Sequence, residues 1–521
     1  MRKTTILLLL IMLLGGIFRF GNLERTPPGL YPDEAINGMD AIQTLETGQW
    51  KVFYPENNGR EGLFIWMIAL NFNIFGISVW SLRFTSAIIG FLTILGLFLM
   101  AKELFNEKIA LLSSFFLAVS FWHTNFSRIG FRAILVPFLM CFSFYFLFKG
   151  IKSKKLIYFI IAGIFYGLGF YTYIAFRASI LLLGMLLLIK MWNYWKENKS
   201  SKWSLKKNYI KDGWWKWDVF FIVILIVVIP LCLHFYKVPQ DFMGRANNVS
   251  VFNSEQPFKA LAISTAKTAI MFNFIGDWNW RHNYSGAPML AWTVGILFLI
   301  GLILIIRKII SDGWKMLSPV ILITILWFAI MLLPAIFTIE GIPHALRTIS
   351  IIPVVYIFAA LGFAWMSDKL FKNVNKKLAV IFMATILIHP VYANFNQYFC
   401  RWANDPDVAG AFEQNLVDIG NYLNSMPLNI KKYVIINRSG VPVPYPYGPS
   451  MPAQTVMFIE HAKNIKNVFY IKPENINQIQ YNETDVITLL HPNEEIMNNL
   501  HNRWPNGKVR KGNNIWSFLI N

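Results

Sequence analysis

Apolar residues fall in long runs along this chain, separated by short polar segments. The runs occupy about 4–20, 81–101, 109–122, 131–149, 156–173, 175–192, 218–236, 289–306, 317–338, 347–366 and 378–392. A helix of about twenty residues spans roughly 30 Å, the thickness of a bilayer's hydrocarbon core. The pattern therefore predicts about eleven membrane-spanning helices, within a range of about 10–13. One further run, 62–76, would reach only about 22 Å and carries Asn71 and Asn73; it is expected to be an interfacial or re-entrant helix. After residue 392 the pattern changes to polar, Asn-rich sequence with short strand-like runs, Tyr433–Ile436, Asn467–Ile471, Asp485–Leu490 and Ile515–Ile520, and a helical stretch, Pro406–Leu423. The expected fold class is thus an all-α polytopic membrane domain, 1–392, followed by a small α/β domain, 393–521. The Pro-rich run Val441–Pro452 is expected to be a surface loop or turn. No internal repeat is visible.

Charge orients the spans. Lysines crowd 149–155, 190–216 and 369–377, and short Lys-rich loops stay in the cytoplasm. The start, Met1-Arg2-Lys3 followed by apolar residues to Phe18, has no small-x-small cleavage site behind it; an uncleaved first span with a cytoplasmic N-terminus is expected. Counting from that end to the Lys-rich loops works only if 62–76 does not cross. Residues 20–80 then form one large outer loop, and 123–131, 237–288, 339–346 and everything after 393 also lie outside. The expected location is a multi-pass protein of the plasma membrane, with its active site and C-terminal domain extracytoplasmic.

Composition agrees, since 55% of the 521 residues are hydrophobic and only 15% charged, too few for a soluble surface. The net charge of +20 would suit nucleic acid in a soluble protein; here the lysines sit in membrane loops, so the partner expected is the bilayer and no nucleic acid. Three dispersed cysteines argue against a disulfide framework or a metal site. His123, His282 and His344 lack ligand spacing, so no metal is indicated.

The outer loop carries the densest chemistry, from Tyr31-Pro32-Asp33-Glu34 to Asn57-Asn58-Gly59-Arg60-Glu61-Gly62. Ionisable groups beside hydrocarbon are costly and tend to be functional. Asp33 is a candidate general base, or the N-cap of a helix over the following residues, and the two roles are compatible. Glu34 could orient Asp33, bind an acceptor or face water; Arg60 and Glu61 could pair with each other.

Arg25, Arg60, Arg83, Arg128, Arg132, Arg177, Arg245, Arg281 and Arg347 all fall on the outer side, whereas the inner loops use Lys. A guanidinium binds phosphate through two parallel donors, so this sidedness suits a phosphate-bearing ligand, although a single Arg can also snorkel or pair with carbonyls. The outer loops also mix aromatics with hydrogen-bonding side chains, as in 122–132, 171–177, 276–283 and 340–347. That suits a sugar, which has an apolar face and a hydroxyl rim, and equally an interfacial aromatic belt.

Asp33-Glu34 in a long first outer loop, the segment Gly62-Leu63-Phe64-Ile65-Trp66 with Phe75-Gly76, and Ser81-Leu82-Arg83 before the next span together resemble the GT-C class of polytopic glycosyltransferases. The likeness is to family 39, which includes the protein O-mannosyltransferases and the bacterial lipid A aminoarabinose transferase, and covers roughly residues 15–350. It implies transfer of a sugar from a polyprenyl-phosphate donor to a lipid, glycan or protein acceptor, in one inverting displacement and with no other cofactor. Asp33 matches the family's catalytic acidic position, which would serve as base with support from Glu34 and Glu61. The chain departs from the family's Glu-Lys-Pro-type motif, having Gly59-Arg60-Glu61-Gly62 there. The resemblance further implies donor-phosphate contacts from among Arg60, Arg128, Arg132, Arg281 and Arg347, with Tyr171, Tyr173, Asp277, His282 and His344 as substrate-binding candidates. The alternative is a polytopic transporter or a flippase for lipid-linked sugars, which would place charge within mid-span helices and repeat its halves.

Overall fold

The computed structural model describes residues 2–197, 213–242, 249–312, 319–463, 467–480, 484–512 and 515–520. Arg245 and most of the lysines of the 190–216 loop lie outside the described residues. The chain is mostly helical with a small C-terminal sheet. It divides into two compact units, residues 1–21, 86–128 and 132–402, and residues 22–85, 129–131 and 403–521. This division does not follow the chain at residue 392, because the outer loop packs with the C-terminal segment.

Nine described helices are long and apolar enough to cross a membrane, or ten if one bent pair counts as a single span. Ten lies within the expected range, and two of the expected runs are not single long helices. The run 109–122 is broken: Glu107–Ala118 and Phe121–Arg128 meet at 59°. At the break, the Ser120 hydroxyl accepts from the His123 backbone N–H and from the Tyr356 hydroxyl. The run 156–173 forms a shorter helix, Leu156–Gly169, about 21 Å long. Its Gly163 and Gly167 let it press against the helix Trp215–Lys237; a Cβ on Gly163 would lie 2.8 Å from the Phe220 carbonyl oxygen, and one on Gly167 2.7 Å from the Val227 Cβ. Small residues four apart give this close approach.

In the second unit, the 62–76 segment is a short apolar helix, Leu63–Phe75. Its Asn71 is satisfied by donating to Thr85 Oγ1 at 2.7 Å, which removes the cost of an amide on an apolar helix. The helix Pro32–Thr47 stops at Gly48, whose φ of 69° suits a residue without a Cβ. Phe53–Tyr54 and Arg60–Glu61 form a two-stranded antiparallel ribbon.

The C-terminal segment forms a five-stranded sheet in the order Val468–Ile471, Lys432–Ile435, Val486–Leu489, Trp516–Ile520, Gly507–Lys511. The first three strands are parallel, and Trp516–Ile520 runs antiparallel to both its neighbours. Leu416, Ile419, Leu423 and Val456 pack on one face of the sheet, and Met497 and Leu500 on the other. The expected single helix Pro406–Leu423 is two, Pro406–Ala411 and Gln414–Asn424, parted at Glu413, whose φ is 55°. Glu413 is held there by a two-pronged ion pair with Arg438, both contacts 2.6 Å. In the Pro-rich run, Val443 and Met451 pack on Ile36 of the outer-loop helix, and the next helix, Ala453–His461, lies along Pro32–Thr47.

Candidate functional site

Two adjacent carboxylates open the helix Pro32–Thr47, and the fold treats them differently. Tyr31 is the N-cap, with Pro32, Asp33 and Glu34 in the first turn. The acid that reaches back to the cap is Glu34, taking the Tyr31 N–H at 3.4 Å, as a third-position glutamate does. The capping expected of Asp33 therefore falls to its neighbour.

Glu34 is fully buried. It also accepts two N–H bonds from Arg83, both at 3.2 Å, and the Gly130 N–H at 2.7 Å. A carboxylate offers about four lone-pair directions, and these four donors fill them. Glu34 is thus engaged as a structural anchor. Arg83, equally buried, spends its other donors on the carbonyls of Pro27 and Gly29, at 2.7 Å each. A Cβ on Gly130 would lie 2.3 Å from Leu82 Cδ2, so a larger residue there would have to displace that side chain.

Asp33 is half-buried and accepts from the Asn57 side-chain amide at 2.9 Å. Asn57 sits in the turn joining Phe53–Tyr54 to Arg60–Glu61, with φ of 52°, a left-handed conformation that Asn tolerates well. An amide donor holds Asp33 in position without neutralising it.

Arg60, expected as a phosphate ligand or a partner of Glu61, meets Asp40 in a buried ion pair at 2.5 Å. It also donates to Asn37 Oδ1 at 2.8 Å and to the Glu56 carbonyl at 3.3 Å. Burial raises the pKa of Asp40, with Arg60 opposing the rise. Glu61 is buried in the ribbon opposite Phe53. The sequence pattern does not mark Asp40 and Asn37, and it places Arg83, Asn57 and Gly130 within noted stretches without showing their partners.

The candidates in the first unit also divide. Arg128 is fully buried and donates to the carbonyls of Phe18, Arg19 and Gly21 at 2.6–3.0 Å, closing the C-terminal end of the first helix as a cation there does. Arg347 donates to Thr338 Oγ1, the Glu340 carbonyl and the Glu340 carboxylate. The Tyr171 hydroxyl donates to the Val227 carbonyl at 2.8 Å. Arg132 and Tyr173 do come together, the guanidinium 5.8 Å from the ring centre. Arg281, half-buried, donates through Nε to Asn279 Oδ1 at 3.2 Å.

Of the three outer-side histidines, His123 turns to Arg19, 2.8 Å from its Nη2. His282 and His344 instead join Asp277. Asp277 Oδ2 lies 3.0 Å from His282 Nδ1 and 3.9 Å from His344 Nδ1, and the two rings are 4.9 Å apart. The ligand atoms of these three residues all lie within 4.8 Å of one another, so they could hold a metal ion. The spacing of 277, 282 and 344 hides this trio from the sequence.

Residues 63–234 match the family model described as dolichyl-phosphate-mannose-protein mannosyltransferase. No curated protein sequence matches the chain. Among solved structures, the ArnT of Cupriavidus metallidurans bound to undecaprenyl phosphate aligns over 98% of this chain and 97% of its own, at 12% identity and a TM-score of 0.56. The Archaeoglobus fulgidus oligosaccharyltransferase, tethered to an acceptor peptide containing an NVT sequon, aligns over 96% of this chain and 68% of its own, at 13% identity and a TM-score of 0.53. The same archaeal enzyme in complex with an inhibitory peptide and a dolichol-phosphate aligns over 94% and 69%, at 12% identity and a TM-score of 0.51. The chain is accordingly a multi-pass membrane protein with the fold of the GT-C class, and its match over residues 63–234 is to the mannosyltransferase type of family 39.

Proposed function

We propose that this protein is a glycosyltransferase that moves a sugar from a polyprenyl-phosphate carrier to an acceptor hydroxyl or amine on the extracytoplasmic face. The observation that carries the reading is the contrast between adjacent acids: Glu34 is saturated by Arg83, Gly130 and Tyr31, while half-buried Asp33 is positioned by a neutral amide. A carboxylate so held can take the acceptor's proton as the new glycosidic bond forms. In a single displacement the acceptor oxygen or nitrogen attacks the anomeric carbon, the bond to the carrier phosphate breaks, and the configuration inverts. Arg132 and Arg281 are the arginines proposed to stabilise the leaving phosphate as its charge develops. Glu61, Arg60, Arg128 and Arg347 are proposed to act by holding the loops that present these groups.

The carrier class is supported by the undecaprenyl phosphate and dolichol-phosphate bound to the two similar structures, and the outer-face assignment by the Lys-rich loops. Tyr173, beside Arg132, is proposed to contact the sugar. Asp33→Asn is the test. Sugar transfer from a labelled lipid-phosphate donor in membranes should fall by about 10²–10⁴-fold, with the unfolding midpoint in detergent unchanged. Wild-type turnover by a folded Asp33→Asn protein removes Asp33 from the reaction.

A further inference from the structure

We propose that Asp277, His282 and His344 bind a divalent transition-metal ion, with Zn²⁺ the best fit. The inference stands apart from the role given to Asp33, because it rests on a different cluster and is read by metal content.

Geometry comes first. Tetrahedral Zn²⁺ takes nitrogen and carboxylate oxygen at about 2.0–2.2 Å, which sets neighbouring ligand atoms roughly 3.3 Å apart. The carboxylate oxygen of Asp277 lies 3.0 Å from the Nδ1 of His282 and 3.9 Å from that of His344, on either side of that spacing. All three ligand atoms lie within 4.8 Å of one another, and the two rings are 4.9 Å apart between centroids.

Burial and donor type follow. The three side chains are only 3%, 6% and 14% exposed for Asp277, His282 and His344. Two imidazoles and a carboxylate suit Zn²⁺, whereas Mg²⁺ and Ca²⁺ favour oxygen-only sets.

The surrounding structure also orients the carboxylate. The Ala345 N–H donates to Asp277 Oδ2 and the Asn279 N–H to Oδ1, both at 2.8 Å, the outer hydrogen bonding that metal carboxylates receive. Both ligand loops are braced, as Asn125 donates to the Arg281 carbonyl, Trp402 to the Trp280 carbonyl and Trp122 to the Ala345 carbonyl, at 2.7–3.1 Å. The ion would tie the 277–283 loop to the 344–347 loop, leaving a fourth position for water or a ligand oxygen.

The experiment uses the full chain purified in detergent, washed with chelator and dialysed against Zn²⁺ or Co²⁺. The wild type should retain about one metal per chain by elemental analysis, and Co²⁺ should give the visible absorption of a four-coordinate site. His282→Ala with His344→Ala should lose both signals, and Asp277→Asn should bind at least about 10-fold more weakly. Because these variants could misfold, the wild-type Co²⁺ spectrum is measured alone as well. Failure of the wild type to retain metal, or equal retention by the double variant, overturns the site.

Discussion

In the unit containing residues 22–85 and 403–521, guanidinium groups meet carboxylates: buried Arg83 meets Glu34, buried Arg60 meets Asp40 and half-buried Arg438 meets Glu413. In the other unit, Arg128 and Arg19 meet backbone carbonyls, those of Phe18, Arg19 and Gly21 for one and of Gly15 and the helix-end Leu117 and Ala118 for the other. A cation on helix-end carbonyls satisfies orphan acceptors and complements the negative end of the dipole. A cation on a buried carboxylate cancels a charge and fixes a loop. Arginines that look alike along the chain therefore do two kinds of work. Asp33 differs from these acids in accepting from an amide, that of Asn57.

The sharpest break of this comparison is Arg83→Met, which strands the buried Glu34 charge and should cost about 3–5 kcal/mol, read as a large drop in the unfolding midpoint in detergent. Arg128→Met removes donors but leaves no opposite charge buried, so it should cost less, about 1.5–3 kcal/mol. If the two variants melt together, carbonyl and carboxylate partners are equivalent here and the contrast fails.

A pH series sharpens it further. Burial raises the Glu460 pKa from 4.5 to about 7, against the hydrogen bond from Tyr470 and the charge of Lys432. Between those values the folded state keeps a proton that the unfolded state has lost, so stability falls as pH rises through that window and is level above about 7. Glu460→Gln should flatten that slope and stabilise the chain by roughly 1–3 kcal/mol above the window. An unchanged slope in equilibrium unfolding would assign it to another group. The smallest effect belongs to Lys511→Ala, which breaks an exposed pair with Glu494 and should shift stability by less than about 1 kcal/mol.

Local signals carried much of the fold. The apolar runs became helices because hydropathy over twenty residues needs no tertiary knowledge, and four strands of the C-terminal sheet coincide with short apolar runs. The fifth, Gly507–Lys511, was missed because it is an edge strand whose side chains are mostly charged and exposed. The kink after Ala118 was missed because part of what holds it is Tyr356, far along the chain.

Sequence alone determined the polytopic architecture, the change to polar sequence towards the C-terminus, the Lys-rich character of three short loops, and the position of the Asp33-Glu34 pair. Tertiary structure decided which acid is saturated, which arginines close helix ends, and that Asp277 and His282 meet His344. The division has a physical cause. Hydrophobicity is carried by each residue, whereas the availability of a charged group depends on burial and on donors and acceptors that folding brings from elsewhere.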